Sequence, residues 1–379
     1  RPAESMNPST TARYAQNKLR VARQVYYSEN KTDSIDLVFF VNGLPVATAE
    51  LKSEFQQDVH EAIRQYRQDR PPVDPTTRRR EPLLTPGRRA LVHFAVDNSE
   101  IYMTTRLDGA ETRFLPFNRG NAGHAGNPPN PGGAETAYLW EEVLAKDAWL
   151  GILGKFMHVQ VDKRKDPTSG RVSRSSTVIF PRFHQHDAVT KLLADAKEKG
   201  PGQRYLVQHS AGSGKTKTIA WLAHRLIRHM SPDAASTFDS VIVVTDRTVL
   251  DENVREDMRL IQSSRGLVVS VGEKSGAKSP QLRDALIEGD HIITCTLQTF
   301  PEVMKLVADT AELRGRRWAV IADEAHSSQS GSTARDLREL LVDVDLDIDD
   351  GEGISADDLL AAKDSAIAAS ANITFVALT

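Results

Sequence analysis

The sequence predicts an α/β protein of two domains, a small mixed sheet with helices followed by a parallel sheet with crossover helices. Two apolar runs flank the Asn-Gly pair at 42–43, which is a hairpin signal. An apolar run at 205–208 leads into a glycine-rich turn and then a helical stripe of apolar residues. From residue 178 onward, short apolar strands alternate with helical segments, a pattern typical of parallel sheets.

Composition restricts the class of protein. A chain of 379 residues with 40% hydrophobic residues is long enough for about two or three domains. Its mean hydropathy is −0.40, and no apolar run approaches the ~20 residues of a membrane span. The single cysteine, Cys295, excludes a disulfide framework and a cysteine-ligated metal site, and it indicates a cytoplasmic protein. At a net charge of −3, any surface for nucleic acid must be local.

The glycine-rich turn at 211–216 has the composition of a phosphate cradle. Its glycines let backbone N–H groups point at an anion, and the helix N-terminus adds partial positive charge. Lys215 is expected to reach the β- and γ-phosphates of a nucleotide and Thr216 to bind Mg²⁺. A simple glycine turn is the alternative, which the flanking strand and helix disfavour. The predicted nucleotide-binding residues of the turn are Ala211, Gly212, Ser213, Gly214, Lys215 and Thr216.

A second acidic motif, Asp-Glu-Ala-His at 323–326, follows the apolar run at 318–322. Asp323 is expected to hold Mg²⁺ through water, and Glu324 to polarise the attacking water. Arg182 and Gln185 precede the first helix of the second domain, where a Gln amide can pair with an adenine edge and favour ATP. Glu324 also speaks against a non-enzymatic ATP-binding scaffold.

The first domain carries a carboxylate pair and a lysine with a defined spacing. Asp36 precedes the Asn-Gly turn, and Glu50 and Lys52 follow it on one face of the second strand. Asp36 and Glu50 can hold Mg²⁺, and Lys52 can steady the attacking water or the developing charge. The pattern D-x13-E-x-K is that of a PD-(D/E)xK nuclease core. An exposed Glu–Lys pair on an edge strand is the alternative, and Asp33 is the fallback acid.

The spacing between Asp36 and Glu50 restricts the geometry of the predicted hairpin. Directly opposed residues of a hairpin lie on the same face. A regular two-residue turn would set Asp36 opposite Ala49 and leave Glu50 on the wrong face. We therefore expect a three-residue loop or one β-bulge between Asp36 and Glu50.

The remaining segments organise the chain. We expect a helix at 17–27, a basic helix at 60–70 in which Gln65 could contact DNA or the active site, and a linker at 161–177. The arginine-rich loop at 71–89 either grips phosphates or is solvated. Because the chain begins at Arg1 and ends directly after an apolar run, we expect it to be a piece of a longer polypeptide.

The phosphate turn, the Asp-Glu-Ala-His motif and the terminal Phe-Val-Ala-Leu-Thr resemble motifs of superfamily 2 helicases. The strings FVNGLP, FLPFNRG, FPRFHQ, QHSAGSGKT and DEAHSSQSG resemble the restriction (motor) subunit of type I restriction–modification enzymes. The resemblance implies a PD-(D/E)xK endonuclease domain at 1–177 and the first RecA-like ATPase lobe at 178–379. It implies an ATP-dependent double-stranded DNA translocase and site-specific deoxyribonuclease that works with methyltransferase and specificity subunits.

The resemblance implies Asp36, Glu50 and Lys52 for cleavage, and Lys215, Thr216, Asp323 and Glu324 for ATP hydrolysis. The alternative is a translocase of another defence or repair system, whose first domain binds DNA or partners without cutting. This sequence departs from the pattern of the family at two points. Asp69 stands where the family often has a tyrosine four residues after Gln65. The second motor lobe with its arginine finger is absent, so we expect weak ATP binding and poor hydrolysis by these residues alone.

Overall fold

The computed structural model divides the chain into two compact units, Arg1–His186 and Asp187–Thr379. The predicted boundary lay after residue 177. The described residues are 7–53, 58–165, 170, 172–210, 212–231, 233, 235–245, 258, 268–270, 286–289, 292–296, 300, 310–313, 315–323 and 372–379.

The first unit is built on a six-stranded mixed sheet of order β1-β2-β3-β4-β5-β6. Strands β3 and β4 are parallel, and the other neighbours are antiparallel. The connection between the parallel strands contains a helix, α2, and the π-helical turn that continues it. The elements are α1 Pro8–Ala15, β1 Leu19–Tyr26, β2 Ser34–Val41, β3 Leu44–Leu51, α2 Val59–Arg64, the π turn Gln65–Asp69, β4 Val92–Val96, β5 Ile101–Thr104 and β6 Leu115–Pro116.

Both faces of this sheet are covered. On one face, Ala47, Ala49 and Phe94 pack with Trp149 of helix α3, Lys146–Lys155. On the other face lie α2 and the fully buried Tyr66. The central strand β3 is therefore buried on both sides, so its polar residues face protein rather than bulk water.

Two predicted elements of this unit are wrong. The segment expected to be a helix at 17–27 is the edge strand β1, whose burial recurs every third residue and so imitates a helical period. The predicted linker at 161–177 contains most of a hairpin, in which β7 His158–Lys165 pairs antiparallel with β8 Val172–Ile179. These strands are rich in polar and basic residues, so their sequences lack the apolar alternation from which a strand is usually predicted.

The second unit contains a six-stranded sheet of order β11-β12-β10-β13-β14-β9, and every neighbouring pair is parallel. The predicted parallel sheet is confirmed. Helix α5 packs against β10 and β13, and its Trp221 is fully buried. The elements are β9 Arg204–Val207, α5 Lys215–Leu226, β10 Ser240–Thr245, β11 Val268–Ser270, β12 Ile292–Thr296, β13 Trp318–Asp323 and β14 Ile373–Leu378; helix α4, Phe183–Lys199, crosses the boundary between the units.

Among the residues that the structure describes, no helix combines the length and the apolar character needed to cross a membrane.

Candidate functional site

The β2–β3 hairpin contains the predicted bulge. Asn42 and Gly43 form a two-residue turn with φ of 54° and 85°, the left-handed values that such a turn requires. Next to the turn, Phe40 pairs with Pro45, whereas Phe39 pairs with Ala47, so Val46 is the extra residue. Proline has no N–H to give to the ladder, which suits it to the edge of a bulge.

The bulge decides which side chains share a face. Beyond it, Leu37 pairs with Ala49, and the same register sets Asp36 directly opposite Glu50. Directly opposed residues of an antiparallel pair point to the same side of the sheet. The structure therefore brings the two predicted acids together, as the expected bulge required.

Asp36 is held at both carboxylate oxygens. Its Oδ2 accepts the backbone N–H of Leu51 at 2.8 Å, and its Oδ1 accepts the Gln24 side-chain amide at 2.8 Å. Gln24 in turn accepts the hydroxyl of Ser34 at 2.6 Å. Gln24 has a φ of 52°, which is unusual for a residue other than glycine and often marks a functional site.

Glu50 is 1% exposed, and among the described residues its one cationic partner is the guanidinium of Arg70, whose Nε donates to Glu50 Oε1 at 3.0 Å. Arg70 also donates to the carbonyl of Ser34 at 3.0 Å and lies over the ring of Tyr27. Burial and the adjacent Asp36 carboxylate raise the pKa of Glu50 to about 8, against the opposing effect of Arg70. The two carboxyl groups are thus confined together at a cost in charge repulsion.

A divalent cation fits this pair. Two carboxyl groups close enough to raise the pKa of one of them offer the oxygen ligands that Mg²⁺ takes, and the cation would relieve their repulsion. When bound, Mg²⁺ would supply a Lewis acid for a phosphodiester and lower the pKa of a bound water. No cluster of three or more His, Cys, Asp or Glu occurs in the described residues, so water or main-chain oxygens would complete the shell.

Lys52 and Asp33 flank the pair. Lys52 is half-buried, and its backbone N–H continues the strand by donating to the carbonyl of Val96 at 2.8 Å. In extended backbone its side chain leaves on the side of Glu50. Asp33, the fallback acid, lies 4.0 Å from Arg70 and is more exposed than Glu50.

Sequence reasoning missed two residues that hold the acids, Gln24 and Arg70. Gln24 falls in the stretch misread as a helix, and Arg70 ends a basic segment that gave no sign of facing a carboxylate. Gln65, which was expected to contact DNA or the site, begins the π turn. Its Oε1 is buried and has no hydrogen-bond partner among the described residues.

A buried polar network lies beside the acids, on the same strand. The Thr48 hydroxyl lies 2.7 Å from both the Tyr66 hydroxyl and Nδ1 of His93. Burial lowers the pKa of His93 to about 3, so the ring is neutral at physiological pH. Tyr66 can donate to Thr48 and Thr48 to Nδ1 of His93, which leaves Nε2 of His93 buried and without a hydrogen-bond partner among the described residues.

This network predicts acid sensitivity. Because the pKa of His93 is lower in the folded state than in the unfolded state, the unfolded state takes up the proton first as the pH falls. His93 should therefore lower the free energy of unfolding by about 1.4 kcal/mol per pH unit between about pH 6.5 and 3, whereas the raised pKa of Glu50 acts in the opposite direction over part of this range. The His93 contribution is the difference in pH dependence between the wild type and His93→Gln, measured by urea unfolding followed by circular dichroism at pH 7.5 and 5.0, and the exposed His124→Gln should keep the wild-type dependence. Equal pH dependence in the two variants would contradict this contribution.

The phosphate turn of the second unit has the predicted local form. Gly212 and Gly214 have φ of 72° and 87°, and α5 begins directly after Gly214. A Cβ at Gly212 would meet nothing within 4 Å, so glycine is needed there for its backbone and leaves open space beside it. Ser213 is buried, and Lys215 and Thr216 occupy the first turn of the helix, where an anion is favoured.

Asp323 lies at the same edge of the sheet as the phosphate turn. It is the last residue of β13 and pairs with Leu378 of β14, which pairs with Val207 at the end of β9. All three strands are parallel, so their carboxyl ends line up where such sheets bind ligands. Asp323 is 9% exposed.

The other predicted nucleotide-binding residues stay predictions. Arg182 and Gln185 belong to the first unit, where Oε1 of the nearly buried Gln185 accepts the backbone N–H of Arg182 at 2.8 Å. That bond stabilises the start of α4 and occupies one acceptor position of the amide. Ala211 and Glu324 lie outside the described residues.

Each of the two units matches a known protein family. Residues 7–112 match the family described as the N terminus of type I restriction enzyme R proteins. Residues 184–346 match the SWI2/SNF2 ATPase family. The chain is therefore similar to a restriction-subunit N-terminal domain in its first unit and to an SWI2/SNF2-type ATPase domain in its second.

The chain is also 22% identical over 339 residues to a putative type I restriction enzyme endonuclease subunit, MjaVIIIP, of Methanocaldococcus jannaschii. The alignment covers 84% of this chain and 30% of that relative, so the chain spans less than a third of the relative's length. These matches confirm the resemblance to the restriction (R) subunit of type I restriction–modification enzymes.

Proposed function

We propose that the chain is the nuclease domain and first motor lobe of an ATP-dependent DNA translocase and endonuclease of a type I restriction system, which cuts unmodified foreign DNA. One observation carries the nuclease proposal. The bulge at Val46 sets Asp36 opposite Glu50 on one face, with Lys52 two residues farther along the same strand. The local register thus supports the D-x13-E-x-K interpretation.

In this proposal Asp36 and Glu50 hold Mg²⁺ at the phosphodiester, as the fit of the two carboxyl groups supports. Gln24 and the Leu51 N–H orient Asp36, and Arg70 orients Glu50. Lys52 stabilises the charge that develops on the phosphate or positions the attacking water.

The second unit supplies the ATP site of the proposal. The turn at 211–214 and the start of α5 receive the phosphates, Lys215 contacts the β- and γ-phosphates, and Thr216 with Asp323 holds Mg²⁺. Glu324 orients the attacking water, and Arg182 with Gln185 reads the adenine. The open space at Gly212 and the alignment of Asp323 with the end of β9 support this assignment.

The partners follow from the same proposal. Double-stranded DNA is the substrate, and methyltransferase and specificity subunits provide recognition of the sequence and of its modification. The name of the Methanocaldococcus jannaschii relative and the match to the restriction-subunit N terminus support such an assembly. Its place is the cytoplasm, where foreign DNA arrives.

One observation favours the alternative of a first domain that binds DNA without cutting. Arg70 contacts Glu50 Oε1 at 3.0 Å, and a permanent ion pair there would occupy a ligand that the metal needs. Cleavage that depends on Mg²⁺ would rule this alternative out.

The test is conversion of supercoiled plasmid to nicked and linear forms by the chain, in Mg²⁺ and in EDTA. We expect cleavage in Mg²⁺ and none in EDTA. Lys52→Ala should cleave about 100-fold more slowly than the wild type, because one charge-stabilising group is lost. Lys18→Ala, which removes an exposed lysine of the same unit, is the matched control. Cleavage in EDTA, or equal rates for the two variants, would contradict the proposal.

A further inference from the structure

Hydrogen bonds fix the backbone of the arginine-rich loop in the first unit. Asp74 at its base is 1% exposed, and its Oδ1 accepts the backbone N–H groups of Thr76 and Thr77, each at 2.8 Å. The Asp74 N–H donates to the carbonyl of Arg79 at 2.8 Å, and the Arg78 N–H donates back to the Asp74 carbonyl at 2.9 Å. A run of like charges is usually a solvated loop, but these bonds fix the backbone of this one.

The fixed backbone presents three consecutive exposed arginines, Arg78, Arg79 and Arg80. Within the described part of the chain, none of their guanidinium groups forms an ion pair. Arg78 has a φ of 57°, a left-handed value that costs free energy for a residue with a side chain. The carboxylates inside the loop, Asp74 and Glu81, are buried and bonded to protein donors, so they do not neutralise the arginines.

Arg80 also lines a groove between this loop and β8, with a volume of about 710 Å³. Two further arginines, Arg106 and Arg174, line it, and its single carboxylate, Asp108, lies 3.6 Å from Arg106. We call it the arginine groove. Thr105, Ser175, Ser176 and Thr177 add hydroxyl groups to the lining, whereas the Thr85 hydroxyl donates to the carbonyl of Glu81. The rest of the lining is mainly apolar: Pro72, Val73, Pro86, Leu107, Val159 and Val178.

We propose that the arginine groove binds the sugar–phosphate backbone of double-stranded DNA, independently of base sequence. Guanidinium and hydroxyl donors on an ordered surface are the groups that contact phosphate oxygens in protein–DNA complexes. Arg106 is paired with Asp108, but Arg80 and Arg174 form no ion pair among the described residues, so the groove has a local positive charge although the net charge of the chain is −3. The choice of DNA as the polyanion rests on the proposed nuclease function.

The arginine groove and the carboxylate pair are connected through the same buried hydrophobic cluster. Leu84 and Leu107 beside the groove belong to the same buried cluster as Tyr27 and Tyr66. Arg70, which holds Glu50, lies over the Tyr27 ring, and Ser28 donates to Glu81 of the loop at 2.7 Å. DNA held in the groove would therefore keep a fixed position relative to Asp36 and Glu50.

The test measures binding of the 379-residue chain to a fluorescent 30-base-pair duplex by anisotropy, in EDTA so that no cleavage occurs. Each lost phosphate contact should weaken binding about eightfold at 0.1 M salt and reduce the slope of log K against log salt by about 0.9. For Arg80→Gln/Arg174→Gln we thus expect a loss of about 60-fold. The control Arg13→Gln/Arg20→Gln removes the same charge from exposed positions outside the groove, and equal affinities and slopes for the two variants would overturn the proposal.

A second measurement locates the DNA directly. Ser176→Cys, labelled with a photo-activated cross-linker, should cross-link to the duplex, whereas the exposed Ser9→Cys should not. The natural Cys295 is buried, and burial raises the pKa of its thiol to about 12, so we expect the label to attach at position 176 and not at Cys295. Absence of cross-linking from Ser176→Cys, at a DNA concentration that saturates binding, would also overturn the proposal.

The two proposals fail in different ways. If the wild-type chain binds DNA through the groove but does not cut plasmid in Mg²⁺, the groove stands and the nuclease assignment falls. If plasmid is cut and Arg80→Gln/Arg174→Gln binds the duplex as the wild type does, the groove assignment falls alone.

Discussion

Glu50→Ala is expected to slow plasmid cleavage by about 1000-fold or more. The substitution removes half of the carboxylate pair, and metal-ion stabilisation of a phosphoryl transition state amounts to several kcal/mol, at 1.36 kcal/mol per tenfold in rate. The Arg70 guanidinium would also lose its acceptor on Glu50. If the folded pair holds Mg²⁺ as proposed, Mg²⁺ should raise the melting temperature of the wild type, and this rise should disappear in the variant.

Two controls separate loss of chemistry from loss of fold. Glu29→Ala removes an exposed carboxylate from the same unit and should cut at the wild-type rate. Glu50→Gln preserves the volume and a hydrogen-bond acceptor for Arg70, so it should remain folded by circular dichroism and still fail to cut. A Glu50→Ala variant that cuts plasmid as fast as Glu29→Ala would remove Glu50 from the active site.

Lys215→Ala is expected to weaken ATP binding by about 10- to 100-fold. The residue begins α5 directly after Gly214, so its ammonium is placed to contact the phosphates that the turn receives. A charge-assisted hydrogen bond of this kind contributes about 1.5–3 kcal/mol. Titration with a fluorescent ATP analogue measures the affinity in the chain itself.

Lys191→Ala is the matched control for nucleotide binding. Lys191 is an exposed lysine of α4 paired with Asp187, so its loss removes the same charge from a surface ion pair of small energy. Because the two active sites are separate in the proposal, Lys215→Ala should leave ATP-independent nicking of plasmid unchanged. ATP affinity equal in Lys215→Ala and Lys191→Ala would contradict the role of the turn.

The parallel sheet was predictable because its strands are short apolar runs that alternate in the sequence with segments of helical or turn composition, a pattern typical of parallel sheets. The bulge was predictable for a different reason. The D-x13-E-x-K spacing conflicts with a two-residue Asn-Gly turn unless one residue is extra, and the register shift at Phe39 and Phe40 confirms that argument.

The elements that were missed lack such a signal. In β1 the burial recurs at every third residue, because an edge strand with one partner has little need for strict alternation. The β7–β8 hairpin is largely polar, and in the described part of the chain it forms a separate two-stranded sheet.

The contacts of the candidate site depend on tertiary structure more than on local pattern. Arg70 and Gln24 reach the acids from elements that are distant in sequence, and neither has a neighbour that marks it. The arginine loop shows the same limit, since only the structure reveals that Asp74 fixes its backbone.

The bulge at Val46 limits how the hairpin can change in length. Insertion or deletion of one residue between Asp36 and Glu50 would turn one acid to the opposite face of the sheet, whereas a change of two residues would return it to the same face. Loss of Val46 together with gain of one turn residue would preserve the pair. Relatives of this chain that retain cleavage should therefore differ here by even numbers of residues, or by exchanging the bulge for a longer turn.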